Sequence, residues 1–267
     1  MSYLDVLPDR FRLILCDIWG VVHDGVALYP RAAEQLEGWR REGRTIILIT
    51  NAPRPADAVE AQLKRIGLPR HAWDEITTSG EAGIAALKAL SEPVGFLGTA
   101  DDRENLAAHG VDFASGDRFR HLACTGLDDD RGCVEEYRSQ LEALAGCGVI
   151  LHCLNPDRIV LRGDIPEPCA GALADIYEEL GATVEWYGKP YPAIYRHALS
   201  LGGNPSPESV VAIGDALQTD MLGAARMGFD AIFVQGGIHR GEPFPADFAE
   251  SNNLGDWAPV AVVEGLG

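Results

Sequence analysis

Val210-Val211-Ala212-Ile213-Gly214-Asp215-Ala216-Leu217-Gln218-Thr219-Asp220 sets two carboxylates five residues apart at the end of an apolar run. The run is short, rich in β-branched residues and free of polar alternation. That pattern predicts a strand buried on both faces of a parallel sheet. Three further runs end in the same manner: Arg12–Cys16 (RLILC) leads to Asp17, Thr45–Ile49 (TIILI) to Thr50 and Asn51, and Val184–Gly188 (VEWYG) to Lys189. In open sheets of this kind ligands sit outside the carboxyl ends of the strands. The four runs are therefore expected to gather a carboxylate, a hydroxyl with an amide, an ammonium, and a carboxylate pair along one edge.

The intervening sequence supplies the helices such a sheet needs. Tyr29-Pro30 precedes an amphipathic stretch, Arg31–Glu42, closed by Gly43, and a second helix near Ala56–Ile66 is closed by Gly67. Ile76–Ser79 reads as a third strand, with a helix opening after it toward Leu90. The order is βαβαβ, the pattern of a doubly wound sheet. Between 81 and 183 a second set of elements interrupts it. Val94–Leu97, His121–Thr125, Val149–Cys153 and Ile159–Leu161 are expected as strands, with helices near Val134–Ala145 and Ala170–Leu180. The core pattern is expected to resume at Val184. The fold class is thus α/β: a Rossmann-like, doubly wound parallel core from 1–80 and 184–267, with an αβ cap inserted at 81–183. A single continuous sheet without a cap is the alternative.

Bulk properties narrow the function. A formal charge of −18 argues against nucleic acid as a partner, since binding it needs a basic footprint. The same charge repels phosphate, so bound cations and local donors must overcome it. No apolar stretch approaches the ~20 residues of a membrane span, and the first residues lack the pattern of a secretory signal. Six cysteines without a C-x-x-C pair read as reduced thiols, and seven histidines without H-x-x-x-H spacing do not point to zinc. A cytoplasmic protein acting on small molecules is expected.

The four strand ends carry the chemistry. Asp17 can attack phosphorus and form an aspartyl-phosphate, which splits one difficult displacement into two easier ones. As an isolated feature it equally suits a helix cap or a salt bridge. Thr50 and Asn51 can donate to phosphoryl oxygens, although an Asn-stabilised turn before Pro53 would read the same. Lys189, ahead of a helix, can neutralise nucleophile and transferring group. Asp215 and Asp220 suit Mg²⁺, which takes hard oxygen ligands and keeps part of its shell for water and substrate phosphate. Asp17 and a backbone carbonyl near residue 19 complete that ligand set. Weaker signals are the Asp128-Asp129-Asp130 run, Asn155 and Asp157 after a cap strand, Arg44 and Arg54, and Gly236-Gly237 with His239 and Arg240.

Taken in order, Asp17 after its strand, the Thr of ITN at 49–51, the Lys of GKP at 188–190 and the GDALQTD block at 214–220 resemble the haloacid dehalogenase superfamily. ITNAP at 49–53, TTSGEAG at 77–83, LNPD at 154–157 and GKPYPAIY at 188–195 resemble its class IIA, which includes nitrophenyl-phosphatases and nucleotide monophosphatases. The resemblance implies a Mg²⁺-dependent phosphatase acting on a small phosphorylated metabolite. Asp17 and Lys189 would be catalytic, with Thr50, Asn51 and Lys189 on the phosphate. The metal would sit on Asp17, Asp215, Asp220 and the main-chain carbonyl of Trp19. It further implies that 81–183 shapes specificity and can mediate association between copies of the chain. One departure stands out: Trp19 occupies the position where the family's phosphatases carry a second Asp for proton transfer. His23 and Asp24 are the nearest substitutes. A catalytically silent ligand binder and a metal-free dehalogenase are the competing readings.

Overall fold

Leu13–Ile14–Leu15–Cys16 has no polar side chain to offer water, and only a strand covered on both faces satisfies it. A computed structural model describes residues 3–90, 92–162, 165–237 and 242–267. The elements run β1 (Leu13–Asp17), α1 (Ala32–Arg41), β2 (Thr45–Thr50), α2 (Ala56–Ile66), β3 (Glu75–Thr78), α3 (Ser79–Lys88), β4 (Gly95–Leu97) and α4 (Ala100–Ala108). Next come β5 (His121–Cys124), α5 (Arg138–Gly146), β6 (Ile150–Cys153), β7 (Ile159–Arg162), β8 (Ile165–Pro168), α6 (Ala170–Glu179) and β9 (Val184–Trp186). The chain closes with α7 (Pro192–Leu201), β10 (Val210–Gly214), α8 (Leu222–Met227), β11 (Asp230–Val234), α9 (Phe248–Ser251) and β12 (Ala261–Val263). No described helix is long and apolar enough to cross a membrane.

The chain divides into two compact units. The first comprises Met1–Thr50, Glu60–Thr77 and Lys189–Gly267, the second Asn51–Val59 and Thr78–Gly188. A six-stranded sheet ordered β12-β11-β10-β1-β2-β3 forms the centre of the first. β1 pairs in parallel with both β10 and β2, with Leu15 in register with Ala212 and Ile47. Every residue of β1 and β10 is buried. Leu13, Leu15, Ile47, Ile49, Val210 and Ala212 pack with Ile194, Tyr195 and Ala198 of α7. Chain direction diverges at the β1/β10 boundary, where β1 continues toward β2 and β10 toward β11. That is the position at which a doubly wound sheet opens a crevice.

The second unit has its own parallel sheet, ordered β4-β5-β6-β9, and a separate antiparallel hairpin of β7 and β8. Alternation along β5 assigns its two faces. Leu122 and Cys124 pack with Tyr137, Leu141, Leu173 and Tyr177 from the α5/α6 side. Ala123 packs with Ile84, Leu87 and Leu106 from α3 and α4.

Val184–Trp186, expected to reopen the core sheet, pairs instead with β6, Leu151 facing Val184. The second unit accordingly reaches beyond 81–183 at both ends. Nor is β9 the strand buried on both faces that was expected: Val184 and Trp186 are half-buried and Glu185 between them is exposed, as suits the edge position it takes beside β6. Four elements also lie outside expectation: α4, β8, α9 and β12. α4 (ADDRENLAA) buries only Leu106 and so lacks an apolar stripe to read, and it is set by its cap, with Thr99 Oγ1 accepting from the Asp102 N–H at 3.2 Å. β8 (IPEP) contains two prolines, which a strand tolerates only where their missing donors face no partner. The single-sheet alternative is excluded by the two separate sheets.

His121 Nδ1 and His152 Nε2 lie 2.9 Å apart, and His152 Nδ1 meets the Tyr187 hydroxyl at 2.9 Å. Burial, and then the neighbouring His121, push the His152 pKa down to about 4. A base whose folded pKa lies below its unfolded value near 6.5 stabilises the fold fully above that value. The contribution is lost as pH falls toward 4. Denaturation across this window should show a loss of about 3 kcal/mol from His152. His152→Phe should flatten that slope, and a variant with the parent's slope would contradict a buried neutral imidazole.

Candidate active site

β1, β2 and β10 lie side by side, with Asp17 facing Ile49 and Cys16 facing Ile213. Parallel register therefore carries Asp17, Thr50 and Asp215 to the same edge. Asp220 reaches that edge through a single wide π-type turn, Leu217–Met221, a distortion common at functional sites. Its Oδ2 accepts from the Ala216 N–H at 3.2 Å, which ties the turn back to the strand end. Lys189 is the first residue of the chain's return to this unit after β9.

Lys189 Nζ donates to Asp17 Oδ1 at 2.6 Å and to Asp220 Oδ1 at 2.7 Å. Lys189, Asp17, Thr50, Asp215 and Asp220 are all buried. Burial alone would lower the lysine pKa, but the Asp17 and Asp220 carboxylates override it and hold the ammonium well above its ordinary value. On Asp17, burial and then the charge of Asp220 push the pKa up, and Lys189 opposes them. One carboxylate oxygen from each of Asp17, Asp215 and Asp220 lies within 4.8 Å of the others. Three carboxylates around one ammonium leave formal negative charge in a dry site. Hard oxygen donors at this spacing fit a small divalent cation such as Mg²⁺.

Trp19 lies two residues past Asp17, its ring edge-on to His23 at 5.2 Å between centroids. His23 Nδ1 accepts from the Gly25 N–H at 2.8 Å, and burial pushes its pKa down to about 4. The imidazole is therefore neutral near pH 7, with its basic nitrogen already engaged. Asp24 Oδ1 accepts from the N–H groups of Val26 and Ala27 at 2.9 and 2.8 Å, and those bonds lower its pKa. Both residues build the turn.

Other expected residues divide. Asn51 Nδ2 donates to Asp157 Oδ1 at 2.8 Å within the second unit, so this amide is shared with a residue that the sequence offered as one of its weaker signals. Ser79, absent from the expected set, donates from Oγ to the Tyr187 carbonyl at 2.6 Å. Its signal was the polar TTSG run at 77–80, which closes β3 and opens α3. Arg44 does not belong to the site. It precedes β2 at the opposite end, and its guanidinium donates to the carbonyls of Phe11 and Leu7. Asp128 binds Arg131 Nε at 2.9 Å in its own loop. His239 and Arg240 fall outside the described residues.

Two family models match the chain. One, described as haloacid dehalogenase-like hydrolase, matches residues 14–112, and the other, described as HAD-hydrolase-like, matches 186–266. A crystal structure of a haloacid dehalogenase-like hydrolase from Brucella suis 1330 is 33% identical, with a TM-score of 0.86. That match covers 99% of this chain and 98% of the other. Ribonucleotide monophosphatase NagD of Escherichia coli (strain K12) is 28% identical over 240 residues, covering 84% of this chain and 88% of its own. Dihydroxyacetone phosphatase of Corynebacterium glutamicum (strain R) is 27% identical over 234 residues, covering 84% and 81% respectively. The chain belongs to the haloacid dehalogenase-like hydrolase family, and the two named relatives are phosphatases.

The ammonium between two buried carboxylates generates a stability test. Lys189→Met leaves both acids without their cation, and breaking a buried pair in this way costs roughly 3–5 kcal/mol. Urea denaturation in chelator should show that loss, with Mg²⁺ recovering part of it. A loss within experimental error of zero would mean that the pair does not hold the site together.

Proposed function

We propose that this hydrolase is a Mg²⁺-dependent phosphatase of a small phosphorylated metabolite, working through an aspartyl-phosphate on Asp17. The observation that supports it best is the buried Asp17–Lys189–Asp220 bridge with Asp215 beside it at the carboxyl edge of the sheet. Asp17, Asp215, Asp220 and the Trp19 carbonyl are assigned to hold the ion. When bound, Mg²⁺ would neutralise charge on the phosphoryl group.

Lys189 orients the Asp17 carboxylate and offsets the negative charge that would otherwise repel an incoming phosphate. Thr50, at the end of β2, is assigned as a hydroxyl donor to a phosphoryl oxygen, with Asn51 following it in the chain. An Asp17 oxygen forms a bond to phosphorus as the bond to the leaving oxygen breaks. Water then cleaves the acyl phosphate, releasing inorganic phosphate and restoring the carboxylate. The relatives' names differ in substrate and agree in being phosphatases, which supports a phosphate monoester as the common element. The second unit is taken as the cap that selects among them and offers a surface for self-association. Its carrier is the family resemblance. Six free cysteines are in keeping with a cytoplasmic setting. A metal-free dehalogenase has no use for three clustered carboxylates.

Turnover of p-nitrophenyl phosphate tests this reading. Asp17→Asn should abolish it without unfolding the protein, and chelator should abolish it in the parent until Mg²⁺ is restored. Residual hydrolysis within about tenfold of the parent would remove the covalent role, because an amide lacks the nucleophilic carboxylate.

With His23 and Asp24 committed to the turn, an alkoxide should leave less readily than a phenolate or a carboxylate. Rates across a series of aryl, acyl and alkyl phosphates should fall steeply with leaving-group pKa. Trp19→Asp should improve alkyl substrates more than aryl ones, by at most about 10²–10⁴-fold. Equal rates for alkyl and aryl phosphates, with chemistry limiting both, would show that a proton donor already serves the site.

A further inference from the structure

Asp215 is the first residue after β10, and the two strands that flank β10 each send a glycine against it. Gly20 follows β1 by three residues and Gly237 follows β11 by three. A Cβ added to either would press into Asp215 Oδ2, well inside the distance real Cβ atoms keep. On Gly20 it would also lie 2.6 Å from Asp215 Cγ, and on Gly237 it would lie 2.5 Å from Asp215 Cβ. The three atoms nearest such a group belong to Asp215 at both positions.

The two glycines differ in one useful respect. Gly20 has φ +85°, where any side chain is strained whatever the space around it. Gly237 is not in the left-handed region, so an alanine there meets a spatial constraint and no backbone one.

We infer that Gly237 is a positioning residue: with Gly20 it clamps the Asp215 carboxylate between two loops and so tunes the carboxylate cluster to a small octahedral ion. This rests on Asp215 being a metal ligand. A side chain held from two sides cannot swing to a second coordination mode, and it presents its oxygen to Asp17 and Asp220 in one place. Mg²⁺ requires near-ideal octahedral geometry at short distances, whereas Ca²⁺ accepts longer and irregular shells. Displacing Asp215 should therefore cost Mg²⁺ more than Ca²⁺.

Calorimetric titration of each ion into the metal-free full chain tests the clamp. Gly237→Ala should weaken Mg²⁺ binding by about 10–100-fold, the usual cost of disturbing the groups that orient a ligand. Ca²⁺ binding should weaken by less than about threefold, given its tolerance of irregular geometry. Gly265→Ala, whose added methyl meets nothing within 4 Å, should leave both unchanged. Equal losses for the two ions, or parent-like Mg²⁺ affinity in Gly237→Ala, would overturn the clamp while a Mg²⁺ loss in Asp215→Ala kept the metal reading intact. Should Asp215→Ala bind Mg²⁺ like the parent, the metal reading falls and the clamp with it. If Gly237→Ala does not fold, adding Asp215→Gly should restore folding, because the added methyl meets Asp215 before anything else. Failure of that rescue would overturn the clamp as well.

Discussion

The ammonium of Lys189 between Asp17 and Asp220 is the interaction on which the site depends. Its partners are 172 and 31 residues away along the chain, so it forms only after the second unit has been traversed and the chain has returned to the core. Burying any one of these charges alone would be costly, and the three are tolerable only together. The second unit begins and ends next to the site in sequence, at Asn51 and Gly188. The exit from that unit thereby leads directly to Lys189, the cation by which the core tolerates its own carboxylates.

A second constraint comes from the sheet. Parallel pairing of β2, β1, β10 and β11 sends successive loops out of one edge, where their backbones crowd. Crowding is useful where a carboxylate must not move, and the loops beyond β1 and β11 meet it with glycines. The loop after β1 then turns back on itself, with Gly20 N–H donating to the His23 carbonyl at 2.9 Å. In the same turn His23 Nδ1 accepts from the Gly25 N–H, and Asp24 Oδ1 accepts from the N–H groups of Val26 and Ala27.

Much of this was legible from residue pattern. Apolar runs without alternation marked the buried strands, since a strand covered on both faces leaves no position where a polar side chain reaches water. The polar residue closing each run marked the site edge. Illegible were the elements whose signal is local or relational. α4 has no apolar stripe, β8 carries two prolines, and β9 is a half-exposed strand whose Val184 and Trp186 flank an exposed Glu185.

The sequence by itself determined which side chains stand at strand ends and that Asp17, Thr50 and Asp215 share an edge, because the direction of parallel strands suffices for that; Asp220 reaches it through the turn Leu217–Met221. Only the tertiary structure decided which sheet receives Val184–Trp186, that Lys189 is shared by Asp17 and Asp220, that Asn51 is bound to Asp157, and that Gly237 touches Asp215. Each of those joins residues through register or loop packing over long chain separations. Local pattern records a residue's burial and its position along a strand, and it carries no record of which distant backbone comes to rest against it.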